Sequence, residues 1–149
     1  MKSYGNKLSS EAIELKRFVE GIRSMKELYE GRREGKENVE LLIPKIEKFG
    51  EYLAKTANLK TSQIRKFFDA VKKIQNEVRV KKSGNIRARI LRIKPQLAYA
   101  TAKQPRQLKD FADVVYTAID KVKDDKDFEY FVEFVEAIVA YHKYYGGRD

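Results

Sequence analysis

The sequence has no cysteine, no tryptophan and only one histidine among its 149 residues. Without cysteine there is no disulfide framework, no thiolate nucleophile and no cysteine-bound zinc cluster. The single histidine, His142, has no second histidine or aspartate at metal-ligand spacing. We therefore expect His142 to be an ordinary residue near a helix C-terminus, where the helix dipole favours it. We expect no metal and no cofactor.

Long apolar runs are also absent, because no stretch approaches the 18 residues that a membrane span requires. The first residues lack the apolar core of a signal peptide. Apolar residues nevertheless make up 42% of the chain and aromatic residues 11%, enough for a folded core. We expect one soluble, cytoplasmic domain that does not contact a membrane.

Catalytic motifs are missing as well. The sequence has no phosphate-binding glycine loop, no GxSxG turn and no HExxH helix. Asp124, Asp125 and Asp127 alternate with Lys123 and Lys126 in a short segment, which is typical of a turn and a helix cap rather than of a magnesium site. We expect no enzymatic activity and no small-molecule substrate.

Acidic residues are absent from one long stretch, residues 78–109, which lies between Glu77 and Asp110. Outside this stretch, the 22 acidic residues of the chain are matched by 22 basic residues. A field of one sign that is concentrated in one segment attracts a polyanion, so the stretch indicates nucleic-acid binding. Its ten basic residues are Arg79, Lys81, Lys82, Arg87, Arg89, Arg92, Lys94, Lys103, Arg106 and Lys109.

Apolar residues recur at helical spacing through nearly the whole chain, and no segment shows the alternation of a strand. The pattern predicts an all-α fold, a compact bundle of five to six helices in a single domain, 1–149. A variable helix and loop (1–36) would precede a helical core (37–146). The predicted helices are 8–29, 39–57, 62–78, 86–103, 105–122 and 128–145.

Several residues mark where these helices begin, bend and end. We expect Pro44 to start or kink the second helix, Pro95 to bend or restart the fourth, and Pro105 to open the fifth. The expected caps are Ser9 or Ser10, Thr61 or Ser62, and Asp127, with a turn at 81–85. The last helix is apolar over more than half of its circumference, so it would be central to the bundle or would pack partly on a neighbouring subunit.

The fourth helix carries the candidate binding surface. Beside its apolar face runs a second stripe, Arg89, Arg92, Gln96, Tyr99 and Lys103. We expect Arg89, Arg92 and Lys103 to contact phosphates, and Tyr99 either to stack on a base or to be an interior tyrosine. The alternative is a solvated helix face, but such a face usually pairs its bases with acids one turn away.

Other basic residues would extend this surface. Arg87, Lys94 and Arg106 would add to the positive field. The third helix could contribute Arg65, Lys66, Lys72 and Lys73 if it packs beside the fourth, although Asp69 could neutralise one of the four.

Three segments together resemble a known family: LKTSQIRKFF (59–68), IKPQLAYATAK (93–103) and FVEFVEAIVAYHKYY (131–145). Their order and spacing are similar to those of the small subunit of type III-A CRISPR–Cas effectors, the Csm complex. The resemblance covers residues 37–146, so that residues 1–36 lie outside it.

This resemblance implies a helical, non-catalytic subunit in antiviral defence that is present in several copies. Its partners would be guide RNA, target RNA, other subunits of the effector complex and copies of itself. RNA would be held through basic surface residues without reading its sequence. By position, the basic members of the matching segments are Arg65, Lys66, Lys94 and Lys103. Lys103 stands where an arginine is expected, which weakens the case for a bidentate phosphate contact there.

Two other functions remain open at this point. The chain could be a nonspecific DNA-binding or architectural protein. It could also be an assembly protein whose basic stripe meets an acidic face of another subunit.

Overall fold

The computed structural model describes residues 7–81 and 85–148. These residues form eight helices and one short hairpin, so the prediction of an all-α fold is confirmed. The helices are α1 (Ser10–Glu20), α2 (Met25–Glu30), α3 (Asn38–Lys55), α4 (Thr61–Lys81), α5 (Ile86–Leu91), α6 (Ile93–Lys103), α7 (Pro105–Ile119) and α8 (Asp125–Tyr144), and the strands are β1 (Arg32–Arg33) and β2 (Lys36–Glu37).

There are more helices than predicted because two of the predicted helices are broken. The first divides into α1 and α2 at residues 21–24. Ser9 caps α1, since its Oγ accepts the N–H of Ala12 at 3.0 Å. Ser24 caps α2 through the N–H of Glu27 at 3.3 Å, and the Glu27 carboxylate accepts the N–H of Arg23 at 2.8 Å. The cap at Ser24 begins a new helix, and the spacing of apolar residues does not reveal it.

The second break separates α5 from α6 at Arg92. Pro95 has no N–H to donate to the carbonyl of Leu91, and its ring crowds that carbonyl, so the preceding turn ends. Of the two predicted effects of Pro95, a bend or a restart, the structure shows the restart, with the break three residues upstream. Pro44 behaves differently, because α3 continues through it without interruption. Pro105 opens α7 as predicted.

Two predicted helix caps are wrong by a few residues. Asp124, not Asp127, caps α8, with its carboxylate accepting the N–H of Asp127 at 2.8 Å. Asp127 is buried instead, and its two oxygens accept the backbone N–H groups of Lys26 and Lys123. Thr61 is the first residue of α4 rather than its cap.

The hairpin between α2 and α3 contains the only two strands in the described residues. Its strands pair Arg32 with Glu37 and Arg33 with Lys36. Glu34 and Gly35 form the turn, with φ values of 53° and 80°. Positive φ at both positions is the requirement of a two-residue hairpin whose twist matches that of its strands.

The last helix is central to the bundle, which was one of the two positions predicted for it from the sequence. α8 packs on α3 most extensively and also on α4, α2 and α7. It buries Phe128, Phe131 and Phe134 completely. His142, near its end, is also buried, with Nε2 2.6 Å from the carbonyl oxygen of Leu59. The expectation that the helix dipole accounts for His142 therefore misses its main contact.

The N-terminal helix belongs to the same core. α1 lies against α7 and α3 and contributes Ala12, Leu15, Phe18 and Val19 to the buried cluster. The division into a variable segment (1–36) and a core (37–146) stays a prediction. Residues 82–84 of the predicted turn 81–85, together with residues 1–6 and 149, lie outside the described residues.

None of the helices in the described ranges combines the length and the apolarity that crossing a membrane would require.

Candidate nucleic-acid interface

A groove lies where α4 runs beside the junction of α5 and α6, with a volume of about 440 Å³. Its floor is apolar, because Ile74 and Ile93 point toward the core from the two sides. Its rim is polar and mostly basic. We call this site the basic groove and define it by Lys73, Glu77, Arg89, Arg92 and Gln96.

Two cations of the basic groove have no acidic partner among the described residues. Lys73 and Arg92 are exposed, and neither forms an ion pair there. Arg89 differs, since its guanidinium lies 3.4 Å from the Glu77 carboxylate and its side chain is only 26% exposed. The free positive charge of the groove therefore comes from Lys73 and Arg92.

The exposed stripe continues from the groove along α6 to the start of α7. We call this part the α6 ridge, formed by Tyr99, Lys103 and Arg106. Tyr99 is 69% exposed, so the alternative of an interior tyrosine is wrong. The ammonium of Lys103 lies 5.2 Å from the centroid of the Tyr99 ring, a cation–π contact that leaves both groups accessible. Arg106 is exposed and forms no ion pair with the described residues.

Two predicted site residues face another part of the molecule. Arg87 donates to the carbonyl oxygens of Ile119 and Val122 at 2.6 and 3.0 Å, at the C-terminal end of α7. Lys94 forms an ion pair of 2.7 Å with Asp120. Cations at this position satisfy free carbonyl groups and interact favourably with the helix dipole. Arg87 and Lys94 therefore stabilise the end of α7 and lie off the exposed stripe.

Tyr116 completes this contact between α6 and α7. Its hydroxyl donates to the carbonyl oxygen of Lys94 at 2.9 Å, and the Lys94 ammonium lies 5.3 Å from its ring centroid. Partial burial raises the pKa of Tyr116 above its usual value. The phenol is therefore a fixed hydrogen-bond donor in this structure.

Arg65 and Lys66 of α4 are neighbours that line one shallow pocket, and they point about 100° apart around the helix. Lys66 is exposed and precedes Lys73 by seven residues, two turns along the same face. Arg65 is also exposed but lies beside Val139 and Lys143 of α8. Lys66 thus extends the face that borders the basic groove, whereas Arg65 does not.

Many basic residues of the acid-free stretch 78–109 are neutralised by ion pairs that the sequence did not reveal. Five of its ten bases form ion pairs with acids from outside the window: Arg79 with Glu129, Arg87 and Lys94 with Asp120, Arg89 with Glu77, and Lys109 with Asp110. Lys109 and Asp110 are neighbours on α7, but the other four pairs join different parts of the chain and cannot be read from local spacing. Lys73 was one of the four α4 residues that the sequence offered for this surface, and its seven-residue spacing from Lys66 indicated a shared face.

The described residues contain no group of three histidine or carboxylate side chains that could hold a metal ion. The groove and the ridge offer cations, one amide and one exposed aromatic ring. Such groups can hold phosphates and the face of a base.

Comparisons with known proteins agree with the sequence resemblance. Residues 36–148 match the family model described as Csm2 Type III-A. A curated relative from Streptococcus thermophilus, "CRISPR system Cms protein Csm2", is 28% identical over 102 residues, which span 67% of this chain and 79% of the relative. No solved structure matches the chain significantly.

Proposed function

The chain belongs to the Csm2 family of type III-A CRISPR–Cas systems, the small subunits of the effector complex, and from this premise we propose that it holds RNA through the basic groove and the α6 ridge. In this proposal the subunit is non-catalytic and works in antiviral defence. Its ligands are guide RNA and target RNA, bound without sequence readout. Other subunits of the effector complex are its protein partners.

The observation that carries this proposal is the line of unpaired cations across two elements. Lys73 borders the groove on α4, Arg92 lies at the junction of α5 and α6, and Lys103 ends α6. Eleven residues separate Arg92 from Lys103, which corresponds to about 16 Å along a helix. Cations that form no ion pair remain available to phosphate groups, and the counterions released on contact drive binding.

The chemistry of the surface supports binding without sequence readout. Lysine and arginine at an open surface neutralise phosphates, which every nucleotide carries. The exposed ring of Tyr99 can stack on any base, since all bases have a π face. Gln96 is the one amide in the groove. Base-edge recognition would require a denser set of placed donors and acceptors.

The test is RNA binding by a variant that lacks three of the unpaired cations: Lys73→Gln, Arg92→Gln and Lys103→Gln. Affinity for a single-stranded RNA is measured over a salt series. Losing three phosphate contacts should reduce the slope of log K against log salt by about 2, at ~0.7 per phosphate on a single strand. The matched control removes three exposed lysines elsewhere, Lys36, Lys48 and Lys123, at the same cost in net charge.

Equal RNA affinities for the variant and the wild type would refute the proposal. Stronger binding to a DNA duplex of the same length would favour a nonspecific DNA-binding protein instead. Cross-links from the ridge to protein alone, in the assembled complex, would favour the assembly function.

A further inference from the structure

A small pocket of about 130 Å³ lies between α4 and α8. Its lining comes from two of the three segments on which the family resemblance rests, 59–68 and 131–145. The lining residues are Thr61, Ile64, Arg65 and Phe68 of α4 and Val139, His142 and Lys143 of α8. The pocket is therefore formed where these two segments pack against each other.

The interior of the pocket is apolar. Ile64 is fully buried, and Phe68 and Val139 are half-buried against the core. The ring of His142 is held by the protein itself, because its Nε2 lies 2.6 Å from the carbonyl oxygen of Leu59. An apolar cavity of about 150 Å³ takes one benzene ring. A pocket of this size therefore suits one aliphatic side chain.

The mouth of the pocket is positive. Arg65 and Lys143 are exposed, and neither forms an ion pair with a described residue. Asp69, one turn after Arg65 on α4, lies outside the lining, and no carboxylate of the described residues lies within it. Both cations are therefore available to an anion that enters the mouth.

Thr61 adds a hydroxyl group to the same pocket. Its Oγ1 is buried and has no hydrogen-bond partner among the described residues. Thr61 is also the first residue of α4, where the helix dipole favours negative charge. An anionic oxygen that accepts a hydrogen bond from Thr61 would remove the cost of leaving this hydroxyl unpaired.

An apolar interior and a positive mouth together select an anion that carries an aliphatic group. A phosphate alone would leave the apolar lining unfilled, and a whole nucleotide exceeds the volume. A glutamate side chain carries its charge at the far end, so it would place a carboxylate in the apolar interior. A chain-terminal leucine or valine instead carries its carboxylate beside the root of the side chain. Its side chain fills the interior while its carboxylate stays at the mouth.

We propose that this pocket binds the C-terminal residue of a partner protein, an aliphatic residue with a free carboxylate. Arg65 and Lys143 bind the carboxylate, Thr61 donates a hydrogen bond to it, and the apolar lining contacts the side chain. This binding does not depend on RNA. It gives Arg65 a function apart from the basic groove, which Arg65 does not border.

The experiment follows the ring protons of His142 by NMR at constant pH in the full chain. His142 is the single histidine of the sequence and lines the pocket, so its signals report occupancy. The probes are N-acetyl-leucine, N-acetyl-leucinamide (which lacks the charge), N-acetylglycine (which lacks the side chain) and inorganic phosphate. N-acetyl-leucine should shift the signals to saturation and bind about fivefold more tightly than each of the others.

Two variants test the cations. Arg65→Gln with Lys143→Gln removes both charges from exposed positions and should weaken the binding of N-acetyl-leucine about fivefold. Lys48→Gln with Lys123→Gln removes the same charge from exposed positions outside the pocket and should bind like the wild type. Thermal melts followed by circular dichroism verify that both variants fold.

The proposal is overturned if N-acetyl-leucine leaves the His142 signals unshifted, or if it binds no more tightly than its amide. A variant without Arg65 and Lys143 that binds like the wild type would overturn it as well. Phosphate binding as tight as that of N-acetyl-leucine would also overturn it and would assign the pocket to the RNA backbone. The triple variant that tests RNA binding keeps every residue of this pocket, so the two proposals fail separately.

Discussion

Gly50 of α3 lies directly against Tyr141 of α8. A Cβ atom at Gly50 would come within 2.6 Å of the Tyr141 Cβ and 3.0 Å of the His142 nitrogen. These are atoms at or next to the backbone, which cannot rotate away. The most extensive helix pair of the bundle therefore depends on a residue without a side chain at the point of closest approach.

Gly50→Ala should destabilise the fold even though alanine favours helices by about 1 kcal/mol over glycine. The overlap with α8 forces a backbone shift in a packed core, which costs about 1–3 kcal/mol. Urea unfolding measures the change. Lys48→Ala, at an exposed position of the same helix, is the control and should remain within about 0.5 kcal/mol of the wild type.

Asp127→Asn should also lower the free energy of unfolding, by about 1–3 kcal/mol. The buried carboxylate accepts the N–H of Lys26 at 2.8 Å and that of Lys123 at 3.0 Å, and an amide can accept only one of them with its oxygen. Its NH₂ group would then face a backbone donor. Asp125→Asn, at an exposed position two residues earlier, provides the comparison; equal losses would contradict this role.

Arg87 and Arg92 should separate stability from RNA binding. Arg87→Gln removes the donors to the carbonyl groups of Ile119 and Val122, so it should lower stability by about 1–2 kcal/mol and leave RNA affinity nearly unchanged. Arg92→Gln should do the reverse, because Arg92 is exposed and unpaired. The same two measurements, urea unfolding and RNA titration, apply to both. A larger loss of RNA affinity in Arg87→Gln would reverse the assignment.

Stability should fall between pH 10 and about pH 12. Partial burial, with a hydrogen bond to Asp110, raises the pKa of Tyr52 to about 12. A hydrogen bond to Glu47 raises the pKa of Tyr145 to about 12 as well. In this window the folded chain retains phenol protons that the unfolded chain has lost, so the free energy of unfolding decreases as the pH rises.

Urea unfolding at a series of pH values up to about 12 checks this dependence. Tyr52→Phe removes one of the retained protons and should flatten the decrease. A variant with the wild-type slope would show that Tyr52 does not contribute to it.

Much of the fold follows from local features of the sequence. Six apolar segments with helical spacing locate the helices, and Pro105 and Ser9 mark two of their starts correctly. The break at residues 21–24 was not predicted, since it depends on a cap at Ser24. A bend or a restart of the helix at Pro95 was predicted, but the position of the break at Arg92 was not. Asp127 was assigned as a cap because its partner Lys26 is about 100 residues away in the chain.

The candidate site shows the same limit more clearly. The acid-free stretch identified the basic segment, and the resemblance identified the family that the comparisons confirm. Which bases remain available could not be predicted, because Glu77 and Asp120 lie outside the stretch and reach it only after the helices pack. Whether the remaining bases contact RNA stays a prediction.

The sequence by itself determined that this chain is helical, that its excess positive charge lies in residues 78–109, and that it resembles the type III-A small subunits. Periodicity, composition and motif are properties of neighbouring residues, so they can be read without a fold. Only the tertiary structure decided that Arg87, Arg89 and Lys94 are paired while Lys73, Arg92 and Lys103 are free. Ion pairs act over a few ångströms, and the distance between helices is set by how the core packs.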